Sequence, residues 1–504
     1  MALIAALLGW MFDGAEMGVF SLVARPAIKD LLGPQREAEI ALWIGVITAI
    51  FLVGAATGGV IFGWLGDRVG RVRAMTLSVL TYALFTSLCG LVNHPVQLGL
   101  LRFVAALGMG GEWSLGVALV MEVWPNRSRA FMAGLIGAAA NVGYLLVGMV
   151  GIALATVIAR LESLMLTLGL PVPWVERLVA NDGWRIMMLL GILPAILTFL
   201  IRLFVPESPR WSQEQQKGHT SHWAATDLWG VLIGLLGPIG MVYLYARGDR
   251  PAWMLIIGTV LGIALAVCGY TYPVYRFLQR QREAGIVRDA GEASATVRRM
   301  LLAAALSGVA LLGTWGATQQ APSWVDKLTE ADRQAGLVRH AKEYTLIWLS
   351  AGAVVGTIAA ALMGDWLGRR VTYFLLCVAA LGSVLLLFHG NDRYGTKLLF
   401  CTFITGACTA SFYGWLPLYL PELFRTGVRA TGQGFAFNFG RVLAAVGTFQ
   451  LGGLVKHFAD GLTLGPLQLA GGYPSACTLL STIYFVGMVL IWFAPENRSR
   501  ELPD

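Results

Sequence analysis

The sequence predicts an all-α polytopic membrane protein in which two six-helix bundles flank two inserted helices, giving fourteen transmembrane helices. Hydrophobic residues make up 57% of the 504 positions and charged residues only 13%, and the mean hydropathy is +0.67. Soluble proteins carry roughly 25% charged residues. The composition therefore disfavours a soluble enzyme, a nucleic-acid-binding domain and a disordered scaffold. An internal repeat, described below, supports the division into two bundles.

Apolar runs long enough to cross a bilayer, roughly 20 residues each, fall into three groups. The first six lie at 2–24, 40–64, 74–92, 96–122, 130–157 and 185–204. Two more lie at 228–245 and 252–272, and the last six at 299–317, 345–363, 372–389, 397–420, 430–453 and 472–494. The chain thus divides into an N-terminal six-helix bundle (1–204), a central insertion with two extra helices and cytoplasmic loops (205–298), and a C-terminal six-helix bundle with a short cytoplasmic tail (299–504).

The distribution of Lys and Arg sets the expected orientation. A small majority of the 37 cationic residues fall in loops that are cytoplasmic when both termini are cytoplasmic, as the positive-inside rule requires. The net charge of +8 then reflects topology, and nucleic acid is not an expected partner. We expect a monomeric integral membrane protein of a bacterial cytoplasmic (inner) membrane. Its expected partners are membrane lipids, a small-molecule substrate and protons.

The sequence lacks motifs for metal, cofactor or nucleotide chemistry. None of the six cysteines forms a C-x-x-C pair, and the six histidines lie in loops or at segment ends, so we expect no metal site and no cofactor. No Gly-Lys dipeptide occurs, which removes the phosphate-binding loop G-x-x-x-x-G-K-[ST]. We expect no enzymatic activity, and any uphill transport must draw on a gradient.

A short motif recurs after the second span of each bundle. Residues 66–71 and 364–369 both read G-D-x-x-G-R, and we call them the first and second signature loops. Two copies at equivalent places indicate a duplicated six-helix unit. A carboxylate in such a loop can cap a neighbouring helix and engage loop arginines. The residues concerned are Gly66, Asp67, Gly70 and Arg71 in the first loop, and Gly364, Asp365, Gly368 and Arg369 in the second.

Further motifs extend this pattern over nearly the whole chain. They read R-F-V-A-A-L-G-M-G-G-E-W (102–113), E-V-W-P-N-R-S-R (122–129), P-E-S-P-R-W (206–211) and P-E-L-F-R-T-G-V-R-A-T-G-Q-G-F-A-F-N-F-G-R (421–441). With the signature loops they resemble the major facilitator superfamily. The G-G-E-W and F-N-x-G-R pieces and the two inserted helices resemble its sialate/metabolite:proton symporter branch, which is related to sugar porters. This resemblance implies alternating access, with the signature loops acting as a latch between the halves.

Five ionisable residues lie inside predicted spans, where charge is expensive and marks candidate functional sites. They are Asp13, Glu16, Arg102, Glu112 and Arg441. Glu16 and Arg102 match best in depth, and three carboxylates facing two guanidinium groups leave one carboxylate without a fixed partner. We hypothesise that Asp13 or Glu16 carries a coupling proton while Arg102 switches partner, with Glu112 also a coupling candidate. The alternative is a static ion-pair cluster.

Arg441 has no acidic partner within the C-terminal spans, so it suits a carboxylate on the substrate, and Asn438 lies three residues away on the same face. Alternatively, Arg441 points to the inner mouth or stacks on an aromatic ring. Further candidates for substrate contact are polar or aromatic residues of other spans, namely Asn141, Tyr144, Trp315, Gln319, Gln320 and Tyr413.

Together these features predict a proton-coupled symporter that imports a small organic anion, such as an acidic sugar or a carboxylate metabolite. Two alternatives stay open. One is a neutral-sugar porter of the same superfamily, and the other is a transporter-like sensor that binds its ligand without moving it.

Overall fold

A computed structural model describes residues 2–125, 128–196, 204–247, 250–287, 289, 291–464, 467–497 and 502–503. We call its first six helices the N-terminal half. They are α1 (Ala2–Leu32), α2 (Ile40–Val69), α3 (Arg71–Leu88), α4 (Pro95–Val123), α5 (Arg129–Thr167) and α6 (Val172–Leu189). The central insertion contains α7 (Pro209–Gln216), α8 (Leu228–Ala246) and α9 (Ala252–Glu283).

The C-terminal half begins at α10 (Glu292–Gly316), and several of its spans are broken into shorter helices. The others are α11 (Ala321–Leu328), α12 (Glu330–Gln334), α13 (Ala341–Leu367), α14 (Arg369–His389), α15 (Thr396–Ala410), α16 (Phe412–Tyr419), α17 (Arg429–His457), α18 (Tyr473–Ser481) and α19 (Ile483–Leu490). A short antiparallel hairpin, β1 (Leu462–Leu464) and β2 (Leu467–Leu469), precedes α18.

Thirteen stretches of the described residues are long and apolar enough to cross a membrane, and they coincide with thirteen of the predicted spans. The remaining predicted span, 430–453, forms α17, which packs against α2 and α10. Polar residues such as Gln433, Asn438 and Arg441 make α17 less apolar than its neighbours. The end of the sixth predicted span, 197–203, lies outside the described residues. The chain is an all-α integral membrane protein.

One predicted loop proved to be helical. The segment after the first span of the C-terminal half forms a 3-10 turn (Thr318–Gln320) and then α11 and α12. Pro322 occupies the first turn of α11, where a missing backbone N–H is tolerated, so a proline that reads as a breaker here starts a helix.

Glycine lets the helices approach closely, as is usual where lipid gives no hydrophobic drive for packing. A Cβ added to Gly58 of α2 would lie 1.9 Å from the carbonyl oxygen of Leu107 in α4. The two halves meet along two seams of the same kind. In one seam α2 meets α17 at Gly59 and Gly434, and in the other α5 meets α13 and α16.

The inserted helices α8 and α9 form a hairpin that packs across the α2–α17 seam. The hydroxyl groups of Tyr270 in α9 and Thr57 in α2 are 2.8 Å apart, while the ring of Tyr270 meets Phe439 of α17 edge-on. The insertion therefore contacts both halves at one seam.

Candidate functional site

A cavity of ≈ 850 Å³ lies between the two halves. Helices α1, α4 and α5 wall it on one side, and α10, α13, α15, α16 and α17 on the other. Seven of the predicted site residues line it, namely Asp13, Asn141, Tyr144, Trp315, Gln319, Tyr413 and Arg441. The sequence motifs therefore converge on one chamber, although these residues come from distant parts of the chain.

The cavity leads away from the signature loops. Tyr144, Trp315 and Gln319 also line a second space of ≈ 1280 Å³, which we call the vestibule. Its other lining residues include Arg25 near the end of α1 and Lys342 at the start of α13, and both lie at the helix ends remote from the signature loops. Gln320, a predicted substrate contact, lies in the vestibule and donates a hydrogen bond to the carbonyl of Trp315 at 2.9 Å. It is not part of the central cavity wall.

Asp13 and Arg441 bring opposite charges to the two walls of the cavity. Each side chain is only 4% exposed. Among the described residues, Oδ1 of Asp13 and both Nε and Nη1 of Arg441 have no hydrogen-bond partner. The guanidinium carbon of Arg441 lies 5.5 Å from the centroid of the Phe437 ring. Arg441 thus stacks on an aromatic ring, which was one alternative, and faces the cavity at the same time.

Aromatic rings form much of the remaining wall. Trp113 of α4 and Phe437 of α17 stack across the two halves with ring centroids 3.7 Å apart and an interplanar angle of 7°. Trp10 also lines the cavity. Sequence reasoning missed these three residues. The signal was present for two of them, since Trp113 ends the G-G-E-W motif and Phe437 precedes Arg441 by one helical turn.

Glu16 and Arg102 form the predicted ion pair, but away from the cavity. Arg102 Nη1 donates to Glu16 Oε1, which also accepts from Thr86 at 3.1 Å. The guanidinium of Arg102 lies 4.2 Å from the ring centroids of both Phe20 and Phe51. One acid and two aromatic rings therefore hold the Arg102 side chain in place. The structure shows no contact between Arg102 and Asp13.

Glu112 is also buried inside the N-terminal half and does not line the cavity. It lies near Tyr82 and within electrostatic range of Asp13. Its Oε2 has no hydrogen-bond partner among the described residues.

Asn438, a predicted substrate contact, does not line the cavity. Its Nδ2 donates to the carbonyl oxygens of Gly110 and Gly434, both at 3.0 Å, and the side chain is fully buried. Nearby, Gln433 Nε2 donates to the carbonyl of Ser114 at 2.5 Å. Three residues of separation leave Asn438 and Arg441 about 60° apart around the helix. That angle is enough for Asn438 to face α4 while Arg441 faces the cavity.

The first signature loop reaches from one half to the other. Asp67 Oδ2 accepts from the backbone N–H of Thr431 at 2.8 Å and from its hydroxyl at 2.6 Å, and Oδ1 accepts from Ala430 N–H at 3.2 Å. Asp67 therefore caps the N-terminus of α17 from the opposite half. Arg71 Nη1 lies 2.5 Å from Asp67 Oδ1.

Glu122 extends this network across the seam. Its Oε1 lies 3.1 Å from Nη2 of Arg71 in its own half and 2.8 Å from Nη1 of Arg429 in the other half. The side chains of all four charged residues, Asp67, Arg71, Glu122 and Arg429, are fully buried. Buried charges are tolerated only when they are paired and hydrogen-bonded, and this network meets that condition.

The hydrogen bonds and ion pairs of the second signature loop stay within its own half. Arg369 Nη2 lies 2.6 Å from Glu422 Oε1. Asp365 is 53% exposed, and its Oδ1 lies 3.5 Å from Arg369 Nη1. Glu496 accepts from the backbone N–H groups of Arg369 at 2.9 Å and Arg370 at 3.0 Å. Among the described residues, no hydrogen bond or ion pair joins Asp365 to the N-terminal half.

Comparison with known proteins agrees with this architecture. The family described as Sugar (and other) transporter matches residues 1–232. The chain is 25% identical to the cis,cis-muconate transport protein of Acinetobacter baylyi over 92% of the chain and 89% of that protein. It is 26% identical to the probable 4-methylmuconolactone transporter of Cupriavidus pinatubonensis, over 97% of the chain and 89% of that protein.

Among solved structures, the chain superposes on the proton:xylose symporter XylE of E. coli with a TM-score of 0.67 at 17% identity, covering 99% of this chain and 97% of that one. The fold is that of a polytopic membrane protein with a cavity between its two halves. The chain is similar to transporters in sequence and shares the fold of the major facilitator superfamily. The matches do not single out the sialate branch, which stays a prediction.

Proposed function

We propose that this transporter is a proton-coupled symporter that imports a small organic anion, and that Arg441 binds the substrate carboxylate. The observation that carries the proposal is that Arg441 is buried with two nitrogen atoms that lack hydrogen-bond partners. It is a buried cation on the cavity wall whose Nε and Nη1 lack partners among the described residues. A carboxylate can accept two parallel hydrogen bonds from a guanidinium group, so an anion in the cavity would supply the missing acceptors.

Charge balance supports coupling to a proton. Glu16 and Arg102 neutralise each other, which leaves Asp13 and Arg441 as the opposite charges on the cavity walls. A substrate anion bound to Arg441 takes the cation away from Asp13 and adds one negative charge to a buried site. An unpaired buried charge is costly, so Asp13 binds a proton together with the substrate. One proton per carboxylate keeps the loaded cavity neutral, and we assign the coupling role to Asp13 rather than to Glu16.

The cavity walls favour a flat substrate over a polyhydroxylated one. Trp10, Trp113, Trp315, Tyr144 and Tyr413 contribute ring surfaces, which pack well against unsaturated or aromatic carbon skeletons. The relatives named for muconate and 4-methylmuconolactone are consistent with a carboxylate or lactone metabolite. An unsaturated carboxylate is therefore our first choice of substrate, ahead of the acidic sugar expected from the sequence.

Import requires the vestibule to face outward. With both termini cytoplasmic, the signature loops lie on the cytoplasmic side and the vestibule opens to the outside. In the state described here the buried network around Asp67 joins the halves on the signature-loop side. We propose that this is the substrate-accepting state, in a bacterial inner membrane and with a single chain as the working unit.

Uptake by proteoliposomes tests the proposal. Labelled cis,cis-muconate, benzoate and xylose would be offered with and without an inward proton gradient. We expect uptake of a carboxylate to rise with the gradient, to be lost in Arg441→Gln, and to lose its pH dependence in Asp13→Asn. Arg393→Gln and Asp392→Asn, in an exposed loop, are matched controls that should transport normally.

Three outcomes would contradict the proposal or part of it. If only xylose were taken up, the neutral-sugar alternative would replace it. Binding of a carboxylate without exchange across the vesicle membrane would instead identify a sensor. Retention of the pH dependence in Asp13→Asn, with Glu16→Gln removing it, would return the coupling role to Glu16.

A further inference from the structure

One aromatic pair closes the central cavity toward the signature loops. Trp113 and Phe437 both line the cavity, and they are only 7% and 3% exposed. Their rings stack at 3.7 Å with an interplanar angle of 7°. Because Trp113 belongs to α4 and Phe437 to α17, the stack joins the two halves. It can persist only while the halves keep their present positions at this level.

The order of contacts along α17 places this stack between the network and the cavity. Thr431 bonds to Asp67 and Gln433 bonds to α4, followed by Phe437 and then Arg441. At about 1.5 Å per residue, Phe437 lies about 9 Å from Thr431 and about 6 Å from Arg441 along the helix axis. A substrate leaving the cavity toward the signature loops must therefore pass the level of the stack.

Arg441 is positioned to hold one of the two rings. Its guanidinium carbon lies 5.5 Å from the centroid of Phe437, within the range in which a cation is attracted to an aromatic face. Tyr413 contacts the same ring edge-on at 6.3 Å. Phe437 thus has one neighbour across the seam, Trp113, and two in its own half.

The geometry points to the Trp113–Phe437 stack as the gate on the signature-loop side of the cavity, with Arg441 as the positioning residue that keeps Phe437 in the closed arrangement. This gate goes beyond the proposed function and does not depend on which substrate is carried or on proton coupling. Opening the cavity toward the signature loops requires the two rings to separate.

A thiol-labelling experiment measures the gate without any substrate. Ser350 lines the cavity from α13, so Ser350→Cys places a reporter inside it. A membrane-impermeant methanethiosulfonate reagent is applied to intact cells and to inside-out vesicles, which expose opposite membrane faces. Labelling of the parent chain without S350C is subtracted, since that chain keeps its native cysteines. The vestibule face should label readily, and the opposite face is the one that tests the gate.

We expect Trp113→Leu and Phe437→Leu each to raise labelling from the opposite face about 3- to 10-fold, the range that an aromatic pair supports. Arg441→Gln should raise it about 2- to 5-fold through loss of the cation–ring contact. Trp113→Phe keeps a ring and should restore the parent rate. Phe403→Leu is the matched control, because Phe403 pairs with Trp348 away from the cavity, and it should change nothing.

Unchanged labelling from the opposite face in Trp113→Leu and Phe437→Leu, in chains that still label normally from the vestibule face, would overturn the gate. An equal rise in Phe403→Leu would overturn it too, because the effect would then be general loosening. An increase in the two ring variants without one in Arg441→Gln would overturn the positioning role alone. Failure of the anion-uptake test above has no bearing on these results, since labelling needs no transported substrate.

Discussion

In the first signature loop Asp67 is fully buried and caps a helix of the other half, whereas in the second signature loop Asp365 is half exposed and stays in its own half. The surrounding parts are nearly identical. Arg71 and Arg369 each pair with a buried glutamate, and Glu207 and Glu496 each accept the N–H groups that follow the loop. The same motif thus holds the halves together at one seam and serves only its own half at the other.

This difference arises from what lies opposite each loop. Asp67 faces the N-terminus of α17, whose unpaired N–H groups attract a carboxylate. The equivalent helix start for Asp365 would be that of α5, where Ser128 makes no side-chain cap hydrogen bond. The same motif can therefore either join the two halves or serve one half alone, depending on how close the halves are at each seam. Four tests distinguish these two roles, and they are ordered here by expected effect.

The largest effect is expected from Asp67→Asn. The change leaves Arg71 and Arg429 with one carboxylate, Glu122, and removing one member of a buried ion network typically costs about 3–5 kcal/mol. This loss destabilises the state in which the halves are joined, so the signature-loop side should open in most molecules. The labelling rate at S350C from that side should rise at least about 100-fold. A rise below about 5-fold would show that Asp67 does not hold the halves together.

Glu122→Gln compared with Glu422→Gln is the next test. Glu122 bridges Arg71 and Arg429 across the seam, while Glu422 pairs with Arg369 inside one half. We expect each variant to lose about 2–4 kcal/mol of unfolding free energy in mixed detergent micelles. Only Glu122→Gln should also increase labelling from the signature-loop side. Equal labelling in the two variants would show that the two loops do not differ in whether they join the halves.

A smaller and similar effect is expected at the two glutamates that accept hydrogen bonds from the backbone N–H groups at the end of each loop. Glu207 accepts from the backbone of Arg71 and Val72, and Glu496 from that of Arg369 and Arg370. A carboxylate at a helix N-terminus contributes about 0.5–1.5 kcal/mol. Glu207→Gln and Glu496→Gln should therefore lower the unfolding free energy by similar amounts, read from denaturation curves. A difference above about 2 kcal/mol would show that Glu207 and Glu496 do not have the same role.

The smallest effect is expected from Asp365→Asn. Its carboxylate is 53% exposed and 3.5 Å from Arg369, and exposed ion pairs contribute about 0–1 kcal/mol. In the same labelling and denaturation assays this variant should behave like the parent chain. A large loss of uptake with unchanged stability would instead show that Asp365 acts in the other state of the cycle.

The sequence predicted the helices well because bilayer thickness sets their length, and this limit does not depend on partner contacts. It also led to Asp13, Arg441 and five other cavity residues, because polar groups inside spans are rare. Asn438 lies outside the cavity wall for a geometrical reason, since helical periodicity relates it to Arg441 but does not show that it faces α4. Trp113 and Phe437 were missed because aromatic residues in spans serve many roles. The unequal signature loops could not be foreseen, since their difference lies in how the halves are positioned.

The inserted hairpin has a consequence for the lipids around the protein. It covers the α2–α17 seam, and its outer residues, including Trp229, Leu236 and Val260, are 60% exposed or more. The α5–α13 seam has no such cover among the described residues, and Met149 and Val355 beside it are at least half exposed. Acyl chains therefore touch the junction between the halves on one flank only, so bilayer thickness and lateral pressure act on the two flanks unequally.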